Sequence, residues 1–322
     1  MWEALSIPVL PGPPTQGRDG SSIVVVDNRN EIRQFLTSRR ARITPERAGL
    51  PVYGGNRRVA GLRREEVALL AGVSVDYYTR LERGNLGGVS EGVLDALARA
   101  LQLDEAERGH LFDLARAANT TARPRRRPAP QQRVRPGIQR ILDAMTDAPA
   151  DVRNGRGDIL AANRLGYALY SELYLDPVRP ANVARFLFLS PRAREFFPDW
   201  EGVANDLVAS LRTAAGRNPH DRGLQDLVGE LSTRSQEFRT RWAAHNVRLH
   251  QTGRKRLHHP VVGDLELTYE VLALPADAGL SLVVYGAEPG SASQDGLRLL
   301  ASWAATLDQF EQPEAAQAPD QA

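Results

Sequence analysis

Arginines and small polar side chains gather at the starts of two short helical patterns in residues 62–84, LRREEVALLAGVSVDYYTRLERG. Arg63 and Arg64 open the first pattern, and Ser74, Val75, Asp76, Tyr77, Thr79 and Arg80 fall in the second. Val75, Asp76, Thr79 and Arg80 share its leading end and one face, where side chains of a helix laid in a DNA major groove reach base edges. The Arg80 guanidinium suits a bidentate pair with O6 and N7 of guanine, Val75 suits a thymine methyl, and Asp76 can accept from cytosine N4. Asp76 equally suits a partner for the positive helix N-terminus, so two roles stand side by side for it. Tyr77 is within reach of a phosphate. Arg63 carries no acceptor and cannot cap its helix as Ser or Thr would. Arginine at 63 and 64 therefore points to phosphate clamping rather than base reading, and Glu65 and Glu66 suit the helix dipole.

The elements that must position these groups are two helices and a tight turn. Val67, Leu70 and Ala71 recur at helical spacing, with Leu62 and Leu81 flanking them on the inward side. Gly72 suits a left-handed C-terminal residue, Ser74 an N-cap whose hydroxyl accepts a backbone N–H, and Gly84 the end of the second helix. Ala68 is small enough for close crossing, Val73 is apolar in the turn, and Tyr78 and Leu81 point inward by spacing. Upstream, Ile32, Phe35 and Leu36 predict a helix over about 31–42. Downstream, Ser90 caps a helix bearing Val93, Leu94, Leu97 and Leu101, and Asp104 with Glu107 forms a capping box opening a fifth helix with Leu111 and Leu114 inward. Between the first helix and the motif runs a connection of about twenty residues, long for a compact domain. It holds Arg47, Arg57 and Arg58, which suit phosphate contacts or a solvated loop alike.

Residues 62–84 resemble the Cro/repressor-like helix-turn-helix of the Xre family, down to the Leu81–Gly84 ending. The lead-in RITPERAGLPVYGGNRRVAGLRREE, the phrase VSVDYYTRLERG and the later NVARFLFLSPRAREFFPDW (182–200) extend the likeness to the MmyB-like transcriptional regulators, over roughly residues 27–310. This resemblance implies an N-terminal all-α Cro/repressor-like bundle and a C-terminal α+β domain with a PAS-like antiparallel sheet and an enlarged helical insert. It implies a DNA-binding regulator whose C-terminal domain takes a small ligand of acyl or fatty-acid-like class. Candidate lining residues are Phe186, Phe188, Phe238, Trp242 and Tyr269, with Arg185, Arg241 and His245 as partners for a ligand carboxylate. Plain core and surface charge explain the same residue types. The alternative reading gives the C-terminal half a protein partner or dimerisation alone.

Composition and charge bound the rest. A chain of 322 residues suits two domains, and 42% hydrophobic content supplies their cores. There is no cysteine, so disulfides and cysteine metal sites are excluded. No apolar run long enough for a membrane span and no secretory signal pattern appears, so the expected setting is cytoplasmic. Arginine supplies nearly all the positive charge, Lys255 being the sole lysine. Residues 29–127 carry 19 Arg against 12 acids, net +7, while residues 128–322 carry 21 Arg+Lys against 24 acids, net −3. A basic head on a mildly acidic body fits double-stranded DNA as the partner of the head. No HExxH-type zinc spacing, nucleotide fingerprint or Ser/His/Asp arrangement appears, so neither an enzyme nor a cofactor is expected. A homodimer on a palindromic operator is the expected assembly.

The organisation reads as a Pro-, Gly- and Ser-rich extension over 1–28, expected to be disordered, with Val24–Val26 as alternative translation starts. The DNA-binding domain follows over 29–118, then a Pro/Arg-rich linker at 119–137, the ligand-binding domain at 138–310 and a disordered tail at 311–322. In the ligand-binding domain, Ile138, Ile141, Leu142 and Met145 predict an amphipathic helix. A hairpin over about 150–162 follows, then a helix opened by Asn163, several helices over 181–250, strands at 255–259, 264–274 and 280–287, and a last helix over 291–310. In the middle strand Leu265, Leu267, Tyr269, Val271 and Ala273 alternate with polar residues, the period of a half-buried strand.

Overall fold

The computed structural model describes residues 28–51, 59, 61–119, 132–247 and 252–311, with side chains described as far as 306. The N-terminal extension before Asn28, Arg57 and Arg58 of the long connection, the arginines at 123–127, and the tail beyond Glu311 lie outside the described residues.

Five helices form the N-terminal head among the described residues: α1 (Asn28–Arg42), α2 (Arg64–Ala71), α3 (Val75–Glu82), α4 (Glu91–Ala100) and α5 (Glu105–Asn119). Their apolar faces converge on one core that includes Ile32, Phe35, Leu36, Leu62, Val67, Tyr78, Leu81, Leu97, Leu111 and Leu114. The predicted punctuation is in place. Gly72 adopts φ 66°, where only glycine is unstrained. Ser74 Oγ accepts from the Tyr77 N–H at 3.1 Å. Asp104 and Glu107 exchange backbone and side-chain bonds at 2.8 and 3.2 Å as a capping box. Leu70 departs from expectation, being 37% exposed. The inward stripe of α2 is Val67, Ala68 and Ala71, which rotates Leu70 about a quarter-turn or more from the core.

The C-terminal part is built on one antiparallel sheet. Its strands are β1 (Ala150–Asn154), β2 (Ile159–Ala162), β3 (Thr252–His259), β4 (Gly263–Ala273) and β5 (Leu280–Gly286), in the order β2-β1-β5-β4-β3. Helix α6 (Pro136–Ala144) precedes the sheet, and among the described residues seven helices lie between β2 and β3: α7 (Arg164–Leu169), α8 (Ser171–Tyr174), α9 (Val183–Leu189), α10 (Ala193–Phe196), α11 (Trp200–Arg217), α12 (Arg222–Arg234) and α13 (Gln236–Ala243). The last described helix is α14 (Ala292–Glu311). The single helix predicted after Asn163 is divided into α7 and α8. Asn163 still caps α7, accepting from Gly166 at 2.7 Å.

Alternation gives the sheet two unlike faces. Leu257, Leu265, Leu267, Tyr269, Val283 and Tyr285 join the core formed with α7–α10 and α14. Ala150, Val152, Leu280 and Leu282 form a smaller cluster on the other face with Leu142 of α6. Ile141, expected inward, is 52% exposed, because this shallow cluster takes up only the Leu142 side of a nine-residue helix. A third cluster, with Val208, Leu211, Leu224, Leu227, Val228, Leu231 and Phe238, joins α11, α12 and α13. No described helix is long and apolar enough to cross a membrane.

Candidate functional site

Helix α3 presents Val75, Asp76 and Arg80 to solvent, with Tyr77 and Thr79 half-buried beside them. The Arg80 guanidinium lies over the Tyr77 ring, 4.9 Å from its centroid, which aligns the fork along the exposed face. The inner face of α3 is fixed by charge. Glu82 is buried and accepts from Arg40 Nε at 2.6 Å, from Arg64 Nε and from the Tyr78 hydroxyl at 3.3 Å. Burial and the Glu82 carboxylate push the Tyr78 phenol well up from its ordinary value. Arg64 thus ties α2 to α3 while its side chain remains half exposed. Arg63 is the N-cap of α2; its N–H donates to the Glu66 carboxylate at 2.6 Å, and its guanidinium lies 3.3 Å from Glu65. Ser74 spends its hydroxyl on the cap.

Between the sheet and α11 lies a cavity of about 810 Å³. Its apolar lining includes Val203, Leu207 and Leu211 from α11 and Val271 and Val283 from the sheet. Lys255 enters it from β3, with the rings of Tyr269, Tyr285 and Phe197 at 5.2, 5.9 and 6.0 Å from Nζ. A buried polar chain runs beside it. Arg153 pairs with Asp151 and donates to Tyr285 Oη at 2.8 Å, and the Tyr285 and Tyr170 hydroxyls are 2.8 Å apart. Burial alone would raise Tyr170, but Lys255 and Arg153 bring it below the ordinary phenol value, while burial holds its partner Tyr285 well above. Burial and Asp206 push Tyr269 up to about 12. Gly253 faces Tyr269 so closely that a Cβ there would meet its hydroxyl at 2.8 Å.

Of the candidate ligand residues, Tyr269 is the one in the cavity lining. Phe186 packs against Phe196 and Phe197 in the main core. Phe188 bridges Phe238 and Trp200, and Trp242 stacks on Phe238. Arg185 pairs with Glu230 at 2.8 Å, and Arg241 pairs with Glu201 and reaches Asn205 at 3.1 Å. Phe186 belongs to the core beneath the sheet, and the others lie at contacts among α9, α11, α12 and α13 rather than in the cavity lining. Sequence reasoning missed Lys255, Arg153 and Tyr285. Lys255 stands two residues before Leu257 in a strand, and that period places it on the inward face.

His245 sits elsewhere altogether, in the contact between head and body. Arg39 of α1 donates to its carbonyl at 2.6 Å, and its Nδ1 lies 3.5 Å from Glu31. Arg212 of α11 is fully buried and donates to Glu31 and to the Trp242 carbonyl. Arg39 in turn pairs with Glu107 at 3.0 Å, and Arg217 reaches Asp113 of α5 at 3.0 Å. Val247 enters the head's own core. Burial alone would raise Glu31, but the His110 and His245 imidazoles and Arg212 hold it well below the usual carboxylate range. Helix α11 therefore touches both sites: Val203, Leu207 and Leu211 line the cavity, and Arg212 faces the head.

A helix-turn-helix head joined to a cavity-bearing sheet domain defines a DNA-binding transcription regulator with a ligand-sensing domain. Residues 32–111 match the model of a helix-turn-helix domain, and residues 134–300 match that of the MmyB-like transcription regulator ligand binding domain. The chain belongs to the MmyB-like transcription regulators. No curated protein matches it.

Proposed function

We propose that the chain binds a palindromic operator as a homodimer and that an acyl or fatty-acid-like ligand in the cavity adjusts that binding. The observation that carries this reading is α11, which lines the cavity and reaches the head through Arg212. Base edges are read by Val75, Asp76, Thr79 and Arg80, while Tyr77, Arg63 and the exposed part of Arg64 meet phosphates. The five-helix head supports a Cro/repressor-like docking of α3 in the major groove, and the strand order β2-β1-β5-β4-β3 with helices inserted after β2 supports a PAS-like sensor. A cavity of about 810 Å³ falls in the range of small-molecule sites. The ligand acts only so far as it binds the DNA-competent and incompetent arrangements with different affinity. No enzymatic step enters this scheme, and its setting is the cytoplasm.

Native mass spectrometry of the purified chain, followed by denaturing extraction, tests the sensor reading. A dimer that releases an acyl species on denaturation supports it. A protein that carries nothing, takes up no added acyl lipid and changes no operator affinity with it would move the C-terminal half to partner binding or dimerisation.

A further inference from the structure

We infer that the corner joining α11 to α12 makes the sensor itself part of the DNA-binding surface. His220 of that corner stands with Arg29 on a basic groove at the trailing end of α3, and the groove takes a phosphate of the DNA backbone. This rests on α3 being the helix that meets DNA.

The groove, of about 500 Å³, lies between head and body. Arg80 and Asn85 form one side, Arg29 of α1 another, and Pro219 and His220 complete it. Gly84 makes the approach of α1 possible, since a Cβ there would meet the Arg29 carbonyl oxygen at 2.4 Å. The corner is held from several directions. The Asn218 N–H donates to the Ala214 carbonyl at 2.9 Å, and the Gln225 amide donates to the Pro219 carbonyl at 2.7 Å. Arg217, just before the corner, is tied to Asp113 of α5 at 3.0 Å. Pro219 is buried and His220 beside it is exposed, so the fold fixes the corner and leaves the imidazole outward.

Charge and place both favour a phosphate. Arg29, Arg80 and His220 line the groove, and among the described residues no carboxylate does. The acids flanking these segments are engaged elsewhere. Asp113 pairs with Arg116 and Arg217, and Asp221 pairs with Arg156 while capping α12. Glu82 is buried between Arg40 and Arg64, and Asp76 lies one turn before Arg80 at the leading end of α3. A recognition helix fills a major groove about 12 Å wide, so its flanks and the turn after it run beside the phosphate backbones. The basic groove opens at that turn. Two guanidinium forks and an imidazole N–H supply donors there, and charge-assisted bonds to phosphate are the strong ones. The corner continues α11, which lines the cavity, so a shift of that helix moves a DNA contact without passing through the head.

Fluorescence anisotropy of the full chain on a random-sequence duplex of about 30 base pairs, across a salt series, tests this, because phosphate contacts do not depend on sequence. His220→Arg is expected to tighten binding about two- to fivefold at low salt and to steepen the salt slope by about 0.9. His220→Glu should weaken binding by about fivefold or more, with the loss shrinking as salt rises. Arg298→Gln removes a positive charge on α14, outside the groove, and should change binding less than about twofold. Unchanged binding and slope in both His220 variants, or a loss in Arg298→Gln equal to that in His220→Glu, overturns the phosphate contact and leaves the docking of α3 intact. Tighter binding by His220→Glu would make the corner an obstruction to DNA and overturn it as well. Failure of wild type to bind the duplex at any salt overturns the DNA reading on which the contact rests.

Discussion

Arg212 of α11 and Glu31 of α1 form a fully buried ion pair between the sensor and the DNA-binding head. The pair has little access to water, and Arg212 also donates to the Trp242 carbonyl and lies over the Trp242 ring at 4.1 Å. Removing one partner leaves the other charged and desolvated. Arg212→Met is expected to cost about 3–5 kcal/mol in unfolding free energy, and Glu31→Gln a similar amount. The double variant should cost less than the sum of the two, because no charge is then left alone. Denaturant unfolding of all four proteins measures it. Additive losses would show that the two residues do not act as a pair.

Gly216 gives the same contact its closeness. A Cβ at this position would meet the His110 ring at 2.5 Å, so α5 and α11 approach each other through a missing side chain. Gly216→Ala is expected to destabilise the contact by about 1–3 kcal/mol through overpacking, despite alanine's better helix propensity. Faster hydrogen exchange in both α5 and α11 is the signature to seek. Unchanged exchange there would place the helices farther apart.

Acid should loosen this contact first. Burial holds the His110 imidazole below its ordinary value of 6.5. The unfolded chain then takes up this proton before the folded one, so stability is full above pH 6.5 and falls as pH drops toward the lowered value. Glu31, held well below 4.5, adds a further loss below that pH. His259, also lowered by burial, acts in the same window as His110. His110→Leu should therefore reduce, not abolish, the fall between pH 7 and 5 in a series of thermal unfolding curves. A wild-type profile flat across that range would contradict the assignment.

On the DNA side, Arg80 and Arg63 should separate by their salt behaviour. Arg80→Ala is expected to weaken operator binding by about 1–3 kcal/mol and to relax preference at one base pair. Arg63→Ala should weaken operator and non-specific DNA alike and flatten the salt slope by about 1. Titrations at several salt concentrations on both DNAs distinguish these. A uniform loss from Arg80→Ala would reassign it to a phosphate.

Much of the head was legible in the sequence because its signals are local. Gly72, Ser74, Ser90 and the Asp104–Glu107 pair act on backbone groups within a few residues of themselves, and each stands where spacing placed it. Strand parity in β4 was equally local, since Leu265, Leu267 and Tyr269 alternate inward without reference to what covers them. The cavity was not legible. Phe186, Phe188, Phe238 and Trp242 are aromatic in either role, and only the rotation of α9 and α13 decides that Phe186 meets Phe196 while Phe238 lies between Phe188 and Trp242.

Sequence alone determined the helix-turn-helix, the strands and the outward face of α3, because helix caps and side-chain periodicity are written in neighbouring residues. Tertiary structure decided the partners of charge. It set Arg212 on Glu31 across 181 positions of chain, turned His245 toward the head, and left Lys255 facing a cavity. A buried charge is stable only beside whatever the fold brings to it, and residues so distant in sequence carry no local mark of that meeting.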